Sequence, residues 1–291
     1  MKQINNSTRL FRIISLEGFL QLLMCQNERF VNPLKWDDTY EGCALRYLHD
    51  ESRVGMFIKN ILMQYKDDPK CYDTVLYNYI KAIIVRNFSF GQCWSLTMDS
   101  DAMWRIYNYN NHAVQIESSQ ELLLNNVQFI TDDGNRFIHR IGKVEYDVLS
   151  ADKASAYIRF YEKQMDFCES FFHKRKAFEH ENEVRVLIRP KDTQYFFNGW
   201  LNKCRHKLVA LMKSKTDITV DDLAVIVSEV HKEMKQKDSD VMFLKVNCLN
   251  DYISCVRVHP MADPWYDSLI KAICRKYGLN YGGKSDLYGT A

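Results

Sequence analysis

The sequence predicts an α+β fold: one compact domain over residues 1–291, built on a mixed, mostly antiparallel sheet core with helical insertions. Three observations predict it. Apolar runs of strand length recur along the whole chain, amphipathic stretches with helical spacing separate them irregularly, and 11 glycines and 5 prolines punctuate 291 residues without forming a linker. A chain of this length, 46% hydrophobic and 26% charged, can bury a large core.

In chain order, Leu10 to Ile14 reads as a strand, and Ser15 as the N-cap of a helix from Leu16 to about Cys25 with Phe19, Leu20 and Leu23 inward. Arg29 to Asp38 reads as a brief strand entering a loop, because Asn32-Pro33 favours a turn. Helical stretches near Val54 to Tyr65 and Tyr72 to Arg86, broken at Asp67-Asp68-Pro69, form an insertion over about 54–86. Phe88 to Trp94 is a strand, Ser100 caps a helix through Asn108, and Ala113 to Glu117 is the next strand. Lys143 to Asp147 adds a strand, and aromatic residues at helical spacing predict a long helix from Ala151 to Lys174. Val184 to Ile188, Leu223 to Ser228, Met242 to Val246 and Cys255 to Val258 read as strands, and Asp263 to Tyr277 as a final helix. Gln194 to Thr216 fits strand, loop or helix.

The 39 basic and 37 acidic side chains nearly cancel, so no global field draws the chain onto nucleic acid or an anionic membrane. Nine cysteines without a C-x-x-C pair resemble neither a disulfide framework nor a zinc cluster, which points to a reducing compartment. Met1 to Arg12 lacks the apolar stretch of a signal peptide, and no run approaches the roughly 20 apolar residues of a membrane span, so the expectation is cytoplasmic.

Three constellations could carry chemistry. Glu181 to Arg185 reads as a strand, and its period of two puts Glu181, Glu183 and Arg185 on one face and Val184 and Val186 toward the core. The alternatives are a functional edge and a solvated ladder in which Arg185 neutralises a carboxylate. Second, Gln92 to Thr97 ends in the hydroxyls of Ser95 and Thr97 and precedes a helix on which Trp104 and Tyr107 share a face. That face is either core or an aromatic wall for a planar ligand. Third, Arg12 interrupts an apolar strand and needs a partner, either an anionic ligand or a structural carboxylate such as Glu181 or Glu183. Cys93 sits inside a strand pattern and reads as a buried, inert thiol. The eight histidines, among them His173, His180, His231 and His259, lack ligand-like spacing, and no metal is expected.

Leu10-Phe11-Arg12-Ile13, Phe30-Val31-Asn32-Pro33, Cys93-Trp94-Ser95 with Met103-Trp104 and Tyr107, Glu181-x-Glu183-x-Arg185, and His259-Pro260 with Lys284-Ser285 resemble the bacterial domain of unknown function family 2971. The resemblance runs from about Arg9 to Leu287. The order of an Arg on the first strand, a hydroxyl-ended middle strand and a late Glu-x-Glu also resembles the three-part site of ADP-ribosyltransferases. It departs from that site in having Trp94-Ser95-Leu96-Thr97 in place of a compact Ser-Thr-Ser, about ninety residues before Glu183.

That second resemblance implies an ADP-ribosyltransferase-like fold and NAD as a substrate. Arg12, Ser95, Thr97, Trp104 and Tyr107 would hold NAD, and Glu183, Glu181 and Arg12 would be catalytic. It also implies a toxin or phage-defence effector that modifies a nucleic acid or protein acceptor, with Lys174-Arg175-Lys176 and Lys203 to Lys215 as basic stretches that would meet it unless they are solvated faces. Two other readings stand beside it. One is a metal-dependent nucleic-acid hydrolase in which Glu181 and Glu183 join Asp37 or Asp38; the other is a non-catalytic nucleotide or partner-binding module.

Overall fold

The ladder begins with Arg9–Ser15 (β1), which turns directly into helix α1 (Leu16–Cys25). Ser15 caps the helix as its spacing predicts: its hydroxyl accepts from the Gly18 amide at 3.2 Å. The inward residues are Phe19, Leu22 and Leu23, with Leu20 only half-buried. Gln26, left-handed at φ 49°, ends the helix and releases the chain into β2 (Asn27–Val31). Asn32 and Pro33 then open a 3-10 turn over Pro33–Lys35, with the Asn32 side-chain carbonyl accepting from the Leu34 amide at 3.0 Å.

The remaining elements are β3 (Phe90–Ser95), α2 (Asp101–Tyr107), β4 (Ala113–Ser119), α3 (Gln120–Asn126), β5 (Phe137–Lys143), β6 (Glu145–Asp147), β7 (His173–Arg175), β8 (Glu183–Pro190), α4 (Thr193–Ser214), β9 (Val241–Lys245), α5 (Leu249–Tyr252), β10 (Cys255–Val258), α6 (Pro264–Tyr277) and β11 (Tyr281–Lys284). The computed structural model describes residues 2–38, 84–107, 112–147, 167–191, 193–215 and 239–289, together with positions 41–42, 45, 77, 80–81, 222, 225–226 and 229–230.

Among the described residues a nine-stranded sheet runs β11-β10-β4-β1-β3-β2-β9, and β8 and β5 extend from β3. Its pairings are antiparallel except for β10 with β11, and β6 and β7 form a separate parallel pair. The fold is therefore α+β with a mostly antiparallel sheet, as the sequence predicts. Helices α1, α3, α5 and α6 contribute Phe19, Leu123, Tyr252 and Ile270 to a core that also holds Leu10, Trp94, Val184 and Val186. Each such buried side chain stabilises the fold by roughly 1.5–3 kcal/mol.

The sheet forks at β3. β1 pairs with β3 only at Phe11 and Ser95, and β2 pairs with it only at Val31 and Gly91, whereas β8 pairs with it along six positions from Phe90 to Ser95. Extending the β1 register would set Arg12 opposite Trp94 and Ile13 opposite Cys93. Those positions are not paired, so the strands part just beyond Phe11.

Several elements differ from expectation. Phe167–Phe172 is a 3-10 helix and His173–Arg175 a strand, so the predicted long helix does not reach Lys174; residues 151–166 lie outside the described residues. Thr193–Ser214 is a helix, and positions 222, 225 and 226 are helical where a strand is predicted over Leu223 to Ser228. The predicted insertion near 54–86 lies mostly outside the described residues. β5 has no counterpart in the sequence reading because Ile138, His139 and Arg140 break its apolar alternation.

Candidate functional site

β8 supplies the centre of the site. It is an interior strand between β3 and β5, buried on both faces over its first six residues, and is neither an edge nor a solvated ladder. Registers Cys93 with Arg185 and Ser95 with Glu183 put these four side chains on the face opposite Val184 and Val186. Glu181 is not part of the strand. It closes a 3-10 turn over Lys176–Glu181, and Asn182, left-handed at φ 43°, joins that turn to β8.

The hydroxyls of Ser95 and Thr97 hold this turn. Ser95 Oγ donates to the Glu181 carbonyl at 2.8 Å and accepts from the Thr97 amide at 3.0 Å, while Thr97 Oγ1 accepts from Asn182 Nδ2 at 3.1 Å. These hydroxyls, expected from the resemblance to hold NAD, fix the carboxylate-bearing turn. The Tyr146 hydroxyl accepts from the Glu183 amide at 2.8 Å and fixes the start of the strand.

Burying three carboxylates requires cations. Glu183 is 3% exposed and Arg185 fully buried; Arg185 Nε and Nη2 donate to the two Glu183 oxygens at 2.7 and 2.9 Å. Arg185 Nη1 donates to the Phe171 carbonyl at 2.5 Å, Nη2 lies 2.8 Å from Glu41, and the guanidinium packs 4.4 Å from the centre of the Trp36 ring. Lys174 on β7 bridges the carboxylates, with Nζ 2.6 Å from Glu181, 3.0 Å from Glu41 and 3.4 Å from Glu183. Lys174 is therefore buried inside the site, and the stretch Lys174-Arg175-Lys176 is not one basic surface. Neighbouring Arg175 pairs with Asp38 at 2.9 Å.

The two glutamates differ in protonation. Burial alone would raise the Glu183 carboxyl, but the charge and hydrogen bonds of Arg185, joined by Lys174, override it and hold the pKa at about 2. Burial raises Glu181, and Lys174 only partly offsets it. Glu41 is also raised, first by burial and further by the Glu183 charge. Burial and the Glu183 charge push the Cys93 thiol up, so it stays protonated beside that carboxylate.

The fork between β1 and β3 opens into a cavity of about 160 Å³ lined by Phe11, Arg12, Ile13, Cys93, Trp94, Ser95, Met103, Tyr107, Glu181 and Glu183. Five of the seven residues singled out in the sequence thus meet in one place: Arg12, Ser95, Tyr107, Glu181 and Glu183. No family profile, curated protein or solved structure matches this chain.

Two of the seven lie outside the cavity. Thr97 acts one step away through Asn182. Trp104 is fully buried in a small cluster with Ile13 and Ala113, edge-on to His259 at 5.4 Å, so it forms no wall of the cavity. Tyr107, 44% exposed, is the aromatic face that α2 presents there, with Met103 beside it.

Arg12 does not pair with Glu181 or Glu183. Its Nη1 donates to Glu28 at 3.0 Å, and its guanidinium lies 5.5 Å from the centre of the Trp94 ring. Glu28, Glu41 and Tyr146 carry no signal in the sequence, because each is one charged or polar residue without a motif. Lys174 is visible there only as part of the basic stretch Lys174-Arg175-Lys176, which gives no sign of its burial.

Among the described residues no group of three or more His, Cys, Asp or Glu side chains is placed to hold a metal ion. The place that a cation shared by Glu181 and Glu183 would take is held by Lys174 Nζ. No described helix is long and apolar enough to cross a membrane.

Proposed function

We propose that this chain is an ADP-ribosyltransferase-like enzyme of the kind suggested by the order of its site residues, within a chain that resembles the domain of unknown function family 2971. It would cleave the bond between nicotinamide and ribose in NAD and transfer ADP-ribose to a nucleic acid or protein, as a cytoplasmic toxin or phage-defence effector. The observation that carries this reading is the convergence of Arg12, Ser95, Tyr107, Glu181 and Glu183, from separate segments of the chain, on one cavity at the sheet fork.

The chemistry follows from the two carboxylates. As the C–N bond breaks, its electron pair leaves with nicotinamide and positive charge develops on the ribose, as in glycoside hydrolysis. Glu183, ionised and fixed by Arg185, supplies a preorganised negative charge to that ribose. Glu181, with its raised pKa, suits the role of general base and takes the proton from the acceptor's O–H or N–H as the new bond to the ribose forms. Tyr107 offers a ring face to the base. Lys203, Arg205 and Lys213, exposed on α4, would face a macromolecular acceptor.

Incubation of the purified chain with NAD tests the reading. Release of nicotinamide and a rise in melting temperature with NAD are the expected results. Absence of both would remove the proposal and shift weight to the hydrolase or the non-catalytic module.

A further inference from the structure

The charge of Arg12 is already spent inside the protein. Glu28, 1% exposed, accepts from Arg12 Nη1 at 3.0 Å, from Gln92 Nε2 at 2.6 Å and from the Tyr252 hydroxyl at 2.8 Å. Gln92 is held in turn, its oxygen accepting from Trp94 Nε1 at 2.7 Å. The network fixes Arg12 at the cavity wall and neutralises it there. Nη1 is the guanidinium nitrogen engaged by the described residues, so Nε and Nη2 keep N–H donors for a ligand.

The other described residues of the wall add no surplus positive charge. Lys174 and Arg185 stand behind Glu181 and Glu183 and are shared with Glu41. Among the described residues around the cavity are three cations, Arg12, Lys174 and Arg185, against four carboxylates, Glu28, Glu41, Glu181 and Glu183. Protonation of Glu181 would bring the two sets level, and in neither state does an uncompensated cation among the described residues await an anion. A phosphate would have to enter beside two glutamates facing a guanidinium that already has a partner. A sugar hydroxyl needs only donors and acceptors, and a cationic ring gains from the face of Tyr107 and, with Glu181 ionised, from the one carboxylate in excess. The cavity is open on one side, and its volume of about 160 Å³ is smaller than a whole-ligand site, which runs to roughly 300–1,000 Å³, so the rest of a larger ligand would extend out of it.

Resting on the function proposed above, we infer that the cavity selects a nucleoside whose base is cationic, with Arg12 donating to its sugar oxygens and every phosphate left outside. Arg12 is thus a sugar-reading residue and Glu28 the group that makes it reject phosphate.

Titration calorimetry with nicotinamide riboside, NAD and ADP tests this. Nicotinamide riboside should bind within about threefold of NAD and ADP at least about tenfold more weakly, since a tenfold ratio needs only one unfavourable charge contact. Glu28→Gln, which frees the charge of Arg12 while keeping the side-chain shape, should tighten ADP about tenfold and leave the riboside within about threefold. If that variant fails to fold by circular dichroism, Arg12→Gln replaces it and should weaken the riboside but not ADP. ADP binding as tightly as NAD, or lost in Arg12→Gln, would overturn the inference. Cleavage of NAD without binding of the riboside would overturn it while leaving the enzymatic reading intact, and failure of all three ligands to bind would remove both.

Discussion

Glu183 and Arg185, two residues apart on one strand, grip each other through both carboxylate oxygens, at 2.7 and 2.9 Å, with Arg185 wholly out of solvent. Same-face neighbours on a strand rarely need each other this much. Here the pair lies under Trp36 and the Phe171 carbonyl, and the guanidinium also reaches Glu41. Removing one member strands the other in the interior. Arg185→Met should cost about 3–5 kcal/mol of unfolding free energy in urea. Arg185→Lys should recover only part of this, because an ammonium cannot make the two-point contact.

Stability should fall in acid through the same pair. Glu183 has a folded pKa of about 2 against an ordinary 4.5, so its contribution is complete above about pH 4.5 and is lost as pH drops toward 2. Glu181 and Glu41 are raised, and each works in the opposite sense as pH rises above the ordinary carboxylate range. Urea midpoints between pH 2 and 5 should fall steeply for the natural chain and much less for Glu183→Gln. Parallel curves would mean that Glu183 is not the group responsible.

Gly91 is required by the ring beneath the site. A Cβ there would lie 2.5 Å from Trp36 Cζ2 and 2.8 Å from Leu187 Cδ2. Trp36 packs on Arg185, so moving the ring disturbs the cation it covers. Gly91→Ala should cost about 1–3 kcal/mol, in the range of core overpacking, and should shift the tryptophan fluorescence. An unchanged spectrum and stability would mean that the ring moves aside freely.

Lys174 should set the acid limb of any rate profile. It is the cation nearest Glu181, at 2.6 Å, and it opposes the effect of burial on that carboxyl. Its removal in Lys174→Met should move the acid limb of kcat/KM to higher pH, whereas a purely structural role would lower the rate without moving the limb.

These relationships explain what could be read in the sequence. Arg12, Glu181 and Glu183 stand out because their residue types are anomalous for their local pattern, an Arg in an apolar strand and charges beside valines, while Ser95 stands out as a hydroxyl at a strand end and Tyr107 by sharing a helix face with Trp104. The positions of most strands along the chain were visible because runs such as Cys255 to Val258 are short, apolar and bounded, whereas their order in the sheet was not. The environment of those residues was not visible. Charged side chains are expected outside, so Glu181 to Arg185 reads as a surface until partners such as Lys174 and Glu41 arrive from other segments. Trp104 and Tyr107 share a helix face by spacing, yet one packs against His259 and the other meets the cavity, and spacing alone does not decide between them. The jobs of Ser95 and Thr97 likewise depend on the left-handed Asn182, which no spacing rule announces.

The most direct measurement is nicotinamide release from NAD by the natural chain and by Glu183→Gln, with the melting temperature of each recorded alongside. Release by the natural chain and a loss of about 100-fold or more in a folded Glu183→Gln variant is the predicted result. Equal release by both proteins would contradict the account.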